Sequence, residues 1–242
     1  MYYYLILLNF SHPLLMLQTN SPALINIPMN KLNIKLAVPF LILCSCISSY
    51  QTASGQDLKK KFHVVNRTLS VDKYSGALHL DEVDSVGIAW INGKEFTEGI
   101  IEFDSKGKDM FQGSFLGIAF HGLNDTTYES VYFRPFNFRA ADPIRKAHAV
   151  QYIANPKYDW PQLRADFPNQ YEKPVLPELD PDQWFHVKIV VIADRVRVFV
   201  NGDNDPVLDI QSLGNSKGKM VGYWAGNGSG GDWNNLKITH KQ

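Results

Sequence analysis

The sequence predicts an all-β protein, a jelly-roll-like sandwich of two antiparallel sheets. Three observations carry this. The runs Phe185 to Ile192 and Arg195 to Val200 are separated only by Ala193-Asp194, which makes them a hairpin. Val196, Val198 and Val200 share one parity, the period-two signature of a strand with one face on a core. Short apolar runs bounded by Gly, Pro and Asn recur along the chain, with no repeat, heptad or low-complexity tract between them.

The first 55 residues stand apart from this pattern. They hold no Asp or Glu and two basic residues, Lys31 and Lys35. Met29 to Lys35 reads as the charged start of a secretory signal and Leu36 to Ile47 as its apolar stretch, too short to span a bilayer comfortably. Ala53-Ser54-Gly55 is a small-residue cleavage site that leaves Gln56 as the mature terminus, and residues 1–28 are then an upstream extension. Leu43-Cys44-Ser45-Cys46 also has the form of a lipobox, with Cys46 as the lipidated residue. Either reading exports the chain, to the periplasm, the medium or a lipid-anchored place at the cell surface, and leaves residues 56–242 as a single domain.

Both cysteines, Cys44 and Cys46, lie in this leader. Disulfides, thiol nucleophiles and Cys-ligated zinc are therefore excluded from the rest, which must rely on its core and fits a bacterial exported protein. Removing Lys31 and Lys35 from 24 basic residues leaves 22 against 24 acidic ones, a net charge of −2. With no basic stripe, nucleic acid is not an expected partner. The tryptophans all lie beyond the leader. Aromatic richness without net charge suits a neutral, stackable ligand, although large sandwiches bury many aromatics anyway.

Along the domain, a polar connector (Asp57 to Lys61) leads to strands at Phe62 to Leu69, Ala77 to Leu80 and Gly87 to Ile91, the last turned by Asn92-Gly93. Phe96 to Asp104 and Ser114 to His121 form the next pair of strands, joined by the loop Ser105 to Gly113. Tyr128 to Arg139 is a long strand with Pro135 as a bend or edge marker, and His148 to Ala154 follows. Asn155 to Asp182 then carries six prolines with Trp160 and Tyr171 among them. Asp159 to Asp166 is expected to form a turn or two of helix. The rest reads as an ordered loop over one end of the sandwich, with Trp160 or Tyr171 at least half buried, because such long segments are functional or disordered and the aromatics argue against disorder. After the hairpin Asn201-Gly202 turns the chain. Gly218 to Trp224 and Trp233 to Thr239 close the domain around a flexible polar loop, Asn227 to Asp232.

Several of these segments resemble one superfamily. Phe96 to Asp104 looks like the early framework strand of the concanavalin A-like lectins and glucanases. Trp184 to Val190 followed by Val196 to Gly202 is similar to that superfamily's hairpin, and Gly218 to Trp224 with Asp232 to Ile238 to its closing strands. The resemblance covers nearly all of residues 62–240 and extends to laminin G-like modules, family 16 glycoside hydrolases and keto-disaccharide hydrolase-type domains. It implies a sandwich with a concave face for glycans and does not choose between binding and cleavage. In several members a carboxylate just before the last strand ligates calcium, and Asp232 occupies that place.

The family 16 catalytic motif is Glu-x-Asp-x-x-Glu; its only near match, Glu102 to Gly107, ends in Gly and sits on a framework strand. The central block is the better candidate. If Val131 and Phe133 face the core, then Tyr128, Tyr132 and Arg134 face the open side, where tyrosine rings stack on sugars and arginine forks bind hydroxyls or carboxylates. With Arg139, Tyr152, Trp160 and Arg164 these are the expected ligand-binding residues, and His121, Glu129 and His148 are the candidate acid–base groups. Tyr132, Arg134, Tyr152 and Arg164 are expected to share one cleft near His148. The blander alternative makes the arginines salt-bridge partners of Asp142, Asp159 and Glu172, and His121 and His148 hydrogen-bonded sheet histidines. Two function classes stand: an exported module that binds carbohydrate, and a glycoside hydrolase or lyase with a site unlike family 16.

Overall fold

Alternating burial organises the strands around the predicted hairpin. The structure, a computed structural model, describes residues 55–241; the expected leader, its lipobox and Cys46 lie outside the described residues. The described residues form α1 (Gly55–Lys61), β1 (Phe62–Val65), β2 (Leu69–Val71), β3 (Leu78–Val83), β4 (Gly87–Glu95), β5 (Gly99–Lys106), β6 (Leu116–Asn124) and β7 (Thr127–Phe133). A single 3-10 turn (Pro135–Asn137), α2 (Pro143–Lys146), β8 (Val150–Asn155), α3 (Trp160–Asp166) and β9 (Glu172–Lys173) follow. The chain ends with β10 (Phe185–Ile192), β11 (Arg195–Val200), β12 (Leu208–Gln211), β13 (Met220–Ala225) and β14 (Ser229–His240).

Two seven-stranded antiparallel sheets result. The first has the order β1-β4-β13-β6-β7-β8-β9 and the second β12-β11-β10-β5-β14-β3-β2. The fold is the predicted all-β jelly-roll sandwich of two antiparallel sheets. In the second sheet Val187 pairs with Phe103 and Ile189 with Ile101, and all four side chains are fully buried while the intervening Glu102 and Lys188 are half-exposed. Phe133 of the first sheet meets Phe185 of the second at 5.1 Å, and Tyr223 meets Trp233 at 5.5 Å. The Trp233 indole also donates across the sandwich to the Gly117 carbonyl at 3.0 Å.

The first sheet differs in kind. Every residue from Tyr128 to Phe133, from Val150 to Ala154 and from Val221 to Ala225 is buried, so its central strands have no solvated face. Strands buried on both faces lose the clean alternation that marks the second sheet.

Several boundaries differ from the sequence reading, each for a local reason. Phe62 to Leu69 is two strands in different sheets, because Asn66 takes a left-handed conformation (φ 50°) that turns the chain between them. β4 does not stop at Asn92-Gly93; it runs on to Glu95 with a register shift against β13. The long strand ends at Phe133, and Pro135 opens the 3-10 turn. The expected flexible loop is largely strand: Ser229, Gly230 and Gly231 are buried residues of β14. Four elements went unseen: α1, where a polar connector was expected, and β9, β12 and α2. For two of them the signals were present: Leu208 and Ile210 alternate with Asp209 and Gln211, and Asp142-Pro143 is a capping residue before a first-turn proline, with the Asp142 side chain accepting from the Ile144 amide at 2.9 Å.

Candidate functional site

The site is built on the outer face of the first sheet, the face turned away from the second. Because Phe133 faces the core, Tyr132 and Arg134 point outward, as the parity argument anticipated. Register places Gly117 directly between Tyr132 on β7 and Trp224 on β13. With no side chain between them, the two rings lean together and stack, centroids 4.6 Å apart at 28°. Tyr128 continues this floor, its hydroxyl accepting from the Trp224 indole at 3.1 Å and the Asn155 amide at 3.0 Å, its ring edge-on to Trp90. Burial pushes the Tyr132 phenol up to about 12, so it stays protonated.

Where β7 ends, a cleft of about 460 Å³ opens. Three elements bring one arginine each: Arg134 from the end of β7, Arg145 from α2 and Arg164 from α3. Arg134 is 5% exposed and donates to the His148 carbonyl (2.8 Å), the Tyr132 hydroxyl (2.8 Å) and the Gln151 amide oxygen (3.3 Å). Arg164 grips Glu172 through two 2.7 Å hydrogen bonds, and its guanidinium lies 4.8 Å from the Trp160 ring, which is 45% exposed at the cleft. Arg145 donates to the Asn137 side chain (3.3 Å) and the Phe136 carbonyl (3.0 Å) and lies over the Phe111 ring at 4.4 Å. His148 Nδ1 lies 2.9 Å from Glu172 Oε2, near enough to feel its charge but misaligned for a hydrogen bond. Burial first, and then the Arg164 and Arg134 charges, hold the His148 imidazole below its ordinary pKa against the pull of Glu172.

A second polar cluster lies on the other face. A bulge in β6 sets His121 in a left-handed conformation (φ 50°), which turns its ring toward β7. Its Nε2 donates to the Thr97 carbonyl at 2.6 Å and its Nδ1 meets Glu129 Oε1 at 2.7 Å. The other Glu129 oxygen accepts from the Tyr152 hydroxyl (2.6 Å) and the Ser212 hydroxyl (2.8 Å). A carbonyl can only accept, and a carboxylate so surrounded by donors is ionised, so both imidazole nitrogens carry hydrogen. Burial opposes charge on both groups, yet the hydrogen bonds and mutual attraction prevail: His121 sits above and Glu129 below its ordinary value. The Leu213 amide completes the cluster by donating to the Tyr152 hydroxyl at 3.0 Å.

The structure thus divides the expected site. Arg134, His148, Trp160 and Arg164 line the cleft; Tyr132 and Tyr128 form the buried floor beside it. Tyr152 does not join them. It pairs with Val131, which shares its parity with the core-facing Phe133, so it points between the sheets, as do Glu129 and its partner His121. The expectation that Tyr132 and Tyr152 share a cleft fails on strand register alone. Arg139 is outside as well, an exposed partner of Asp180 at 3.2 Å. Asp232 bonds to His79 Nδ1 at 2.7 Å, and among the described residues no group of three or more His, Cys, Asp or Glu gathers to hold a metal ion. In the Pro-rich segment Tyr171 is buried, with its ring 5.6 Å from Tyr152. Phe111, Phe115 and Asn137 were missed; nothing in a loop or a presumed strand marks a residue that only tertiary packing brings to a cleft.

No family model and no curated protein matches the chain. Its fold is similar to a Bacillus subtilis protein of unknown function with a galectin-like fold, at a TM-score of 0.50 and 13% identity over 77% of this chain and 92% of that one. It is similar to the Bacillus subtilis carbohydrate binding module CBM66, at 0.51 and 13% over 73% and 93%. The metal-free exoplasmic/lumenal domain of VIP36 superposes at 0.51 and 13% over 75% and 85%. At such identities the likeness is one of fold.

Proposed function

We propose that the protein is an exported carbohydrate-binding sandwich of the concanavalin A-like kind, holding a glycan in the cleft over the outer face of its first sheet. The observation that carries this reading is Trp160, a half-exposed indole on the cleft wall, backed by Arg164 and set among guanidinium donors. An indole face stacks on the C–H face of a sugar ring while forked donors take its hydroxyls. The likeness in fold to a carbohydrate binding module supports it. Residues 56–242 would act as one domain, with residues 1–55 directing export by signal cleavage or by a lipid on Cys46. Among the described residues no helix is long and apolar enough to cross a membrane.

Capture is favoured over cleavage. Glycoside hydrolysis uses two carboxylates flanking the scissile bond. Among the described residues no Asp or Glu lines the cleft, and Glu172, in contact with its walls, is buried and held by Arg164. A glycan array followed by calorimetric titration tests the reading. Trp160→Ala should weaken binding by about 1–3 kcal/mol, the range for an aromatic anchor, and leave the thermal midpoint within a few degrees. Undiminished binding by the variant, or no glycan bound by the parent, refutes it.

A further inference from the structure

The charge of the cleft narrows the ligand further. Among the described residues three guanidiniums line it and no carboxylate does; with Glu172 beneath them the formal sum is three positive charges against one negative, a surplus of two. Arg134 is buried, yet its hydrogen bonds go to neutral oxygens, and Glu172 Oε2 stands 3.7 Å off. Arg145 likewise bonds to neutral oxygens, and among the described residues it makes no ion pair. On the exposed surface Arg195 pairs with Asp209 and Arg139 with Asp180, while part-buried Arg67 is satisfied by backbone carbonyls alone. Glu172 is shared between Arg164 and Arg134, so the cleft keeps a positive surplus, and such a surplus in a partly desolvated site rewards an anion brought by a ligand.

The presentation of these groups fits a planar or tetrahedral oxyanion. Each guanidinium lies near an aromatic ring, Arg145 by Phe111, Arg164 by Trp160 and Arg134 by Phe115 at 5.7 Å. The ring contacts hold each fork in place; Arg164 spends its Nε and Nη2 on Glu172 and Arg134 bonds through both Nη atoms, so Arg145 offers the more open edge to a ligand. Nη1 of Arg145 has no hydrogen-bond partner among the described residues, and Gln112, Asn137, His148 and Asn227 add further polar groups to the lining.

We infer that the cleft selects an acidic sugar, one carrying a carboxylate or a sulfate ester, with the anion on Arg134 and Arg145 and the sugar ring on Trp160. This rests on the carbohydrate reading above and adds a charge requirement to it. The test titrates the purified protein with three oligosaccharides of equal length, an oligouronate, a sulfated oligosaccharide and a neutral one, and with acetate and sulfate alone, at low and high salt. The inference expects at least one acidic oligosaccharide to bind about tenfold or more tighter than the neutral one, with affinity falling as salt rises. The arm that binds tighter tells carboxylate from sulfate. Arg145→Gln should erase most of that preference, weakening the acidic arm far more than the neutral one, while Arg195→Gln, remote from the cleft, changes neither. If Arg145→Gln does not fold, Arg145→Lys, which keeps charge but loses the fork, should still lower the preference, and the salt dependence of the parent needs no variant. Equal or better binding of the neutral oligosaccharide overturns the charge requirement and leaves carbohydrate binding standing. Acetate or sulfate binding as tightly as the acidic oligosaccharides overturns the sugar reading, and with it the inference. No binding in any arm overturns both.

Discussion

Tyr152→Phe separates a structural from a ligand-binding role more sharply than any other single change. The substitution removes one oxygen from a fully buried ring and alters nothing else. That oxygen donates to the Glu129 carboxylate at 2.6 Å and accepts from the Leu213 amide at 3.0 Å. A hydrogen bond to a charged group contributes about 1.5–3 kcal/mol, and leaving a neutral partner unpaired costs on the order of 1 kcal/mol more. Ser212 still donates to Glu129 at 2.8 Å, which limits the damage. The sum is roughly 2–4 kcal/mol. For a domain of this size each kcal/mol shifts the midpoint by about 2–4 °C, so a fall on the order of 5–15 °C is expected in thermal unfolding followed by circular dichroism. Glycan affinity measured well below the new midpoint should be unchanged. An unchanged midpoint would show that the cluster contributes nothing, and lost affinity with an unchanged midpoint would return Tyr152 to the cleft.

Two further outcomes follow from the same geometry. Glu172→Gln removes the counter-charge of Arg164 and leaves buried Arg134 facing only neutral groups, so it should cost about 3–5 kcal/mol, whereas Arg139→Gln, which breaks an exposed pair, should barely move the midpoint; equal effects would sink this ranking. The His121–Glu129 pair gives a pH window. The raised His121 contributes stability that is full below its ordinary value of 6.5 and is lost as pH rises through its folded value, while the depressed Glu129 contributes above its ordinary 4.5 and loses it as pH falls through its folded value. The difference in midpoint between parent and His121→Gln should therefore be largest between about pH 4.5 and 6.5 and shrink above that; a difference that grows toward pH 8 would mean that His121 is neutral in the fold.

What the sequence reveals follows the division between the sheets. β10 and β11 were legible to the residue because one face of the second sheet is solvated, so Glu102, Lys188 and Arg197 alternate with core residues. On the first sheet that signal is gone: Tyr132 and Tyr152 are equally buried and equally aromatic, and only the pairing of Tyr152 with Val131 shows that they face opposite ways. Val131 and Phe133 gave the outward parity of Tyr132 and Arg134 correctly because the run from Tyr128 is unbroken. Across to β8, register depends on the turn and on α2, which sequence alone did not supply. The cleft was half legible for the same reason. Arg134, His148, Trp160 and Arg164 sit in an aromatic- and arginine-rich stretch that draws notice, but Phe111 arrives from the connection between β5 and β6.

A sheet with both faces packed has a consequence for how such a protein diversifies. Its central strands leave no position where a side chain can be exchanged without disturbing one packed layer or the other, and Gly117 between Tyr132 and Trp224 tolerates not even a methyl group without displacing the Val131 backbone or Tyr132. Variation in ligand preference is confined to the rim, to Phe111, the 3-10 turn, α2 and α3, none of which carries a central strand. Recognition can then drift through residues 107–115, 134–149 and 156–166 while the sandwich beneath is inherited unaltered. Relatives that differ in what they hold should differ first in those stretches, and not in β8 between them.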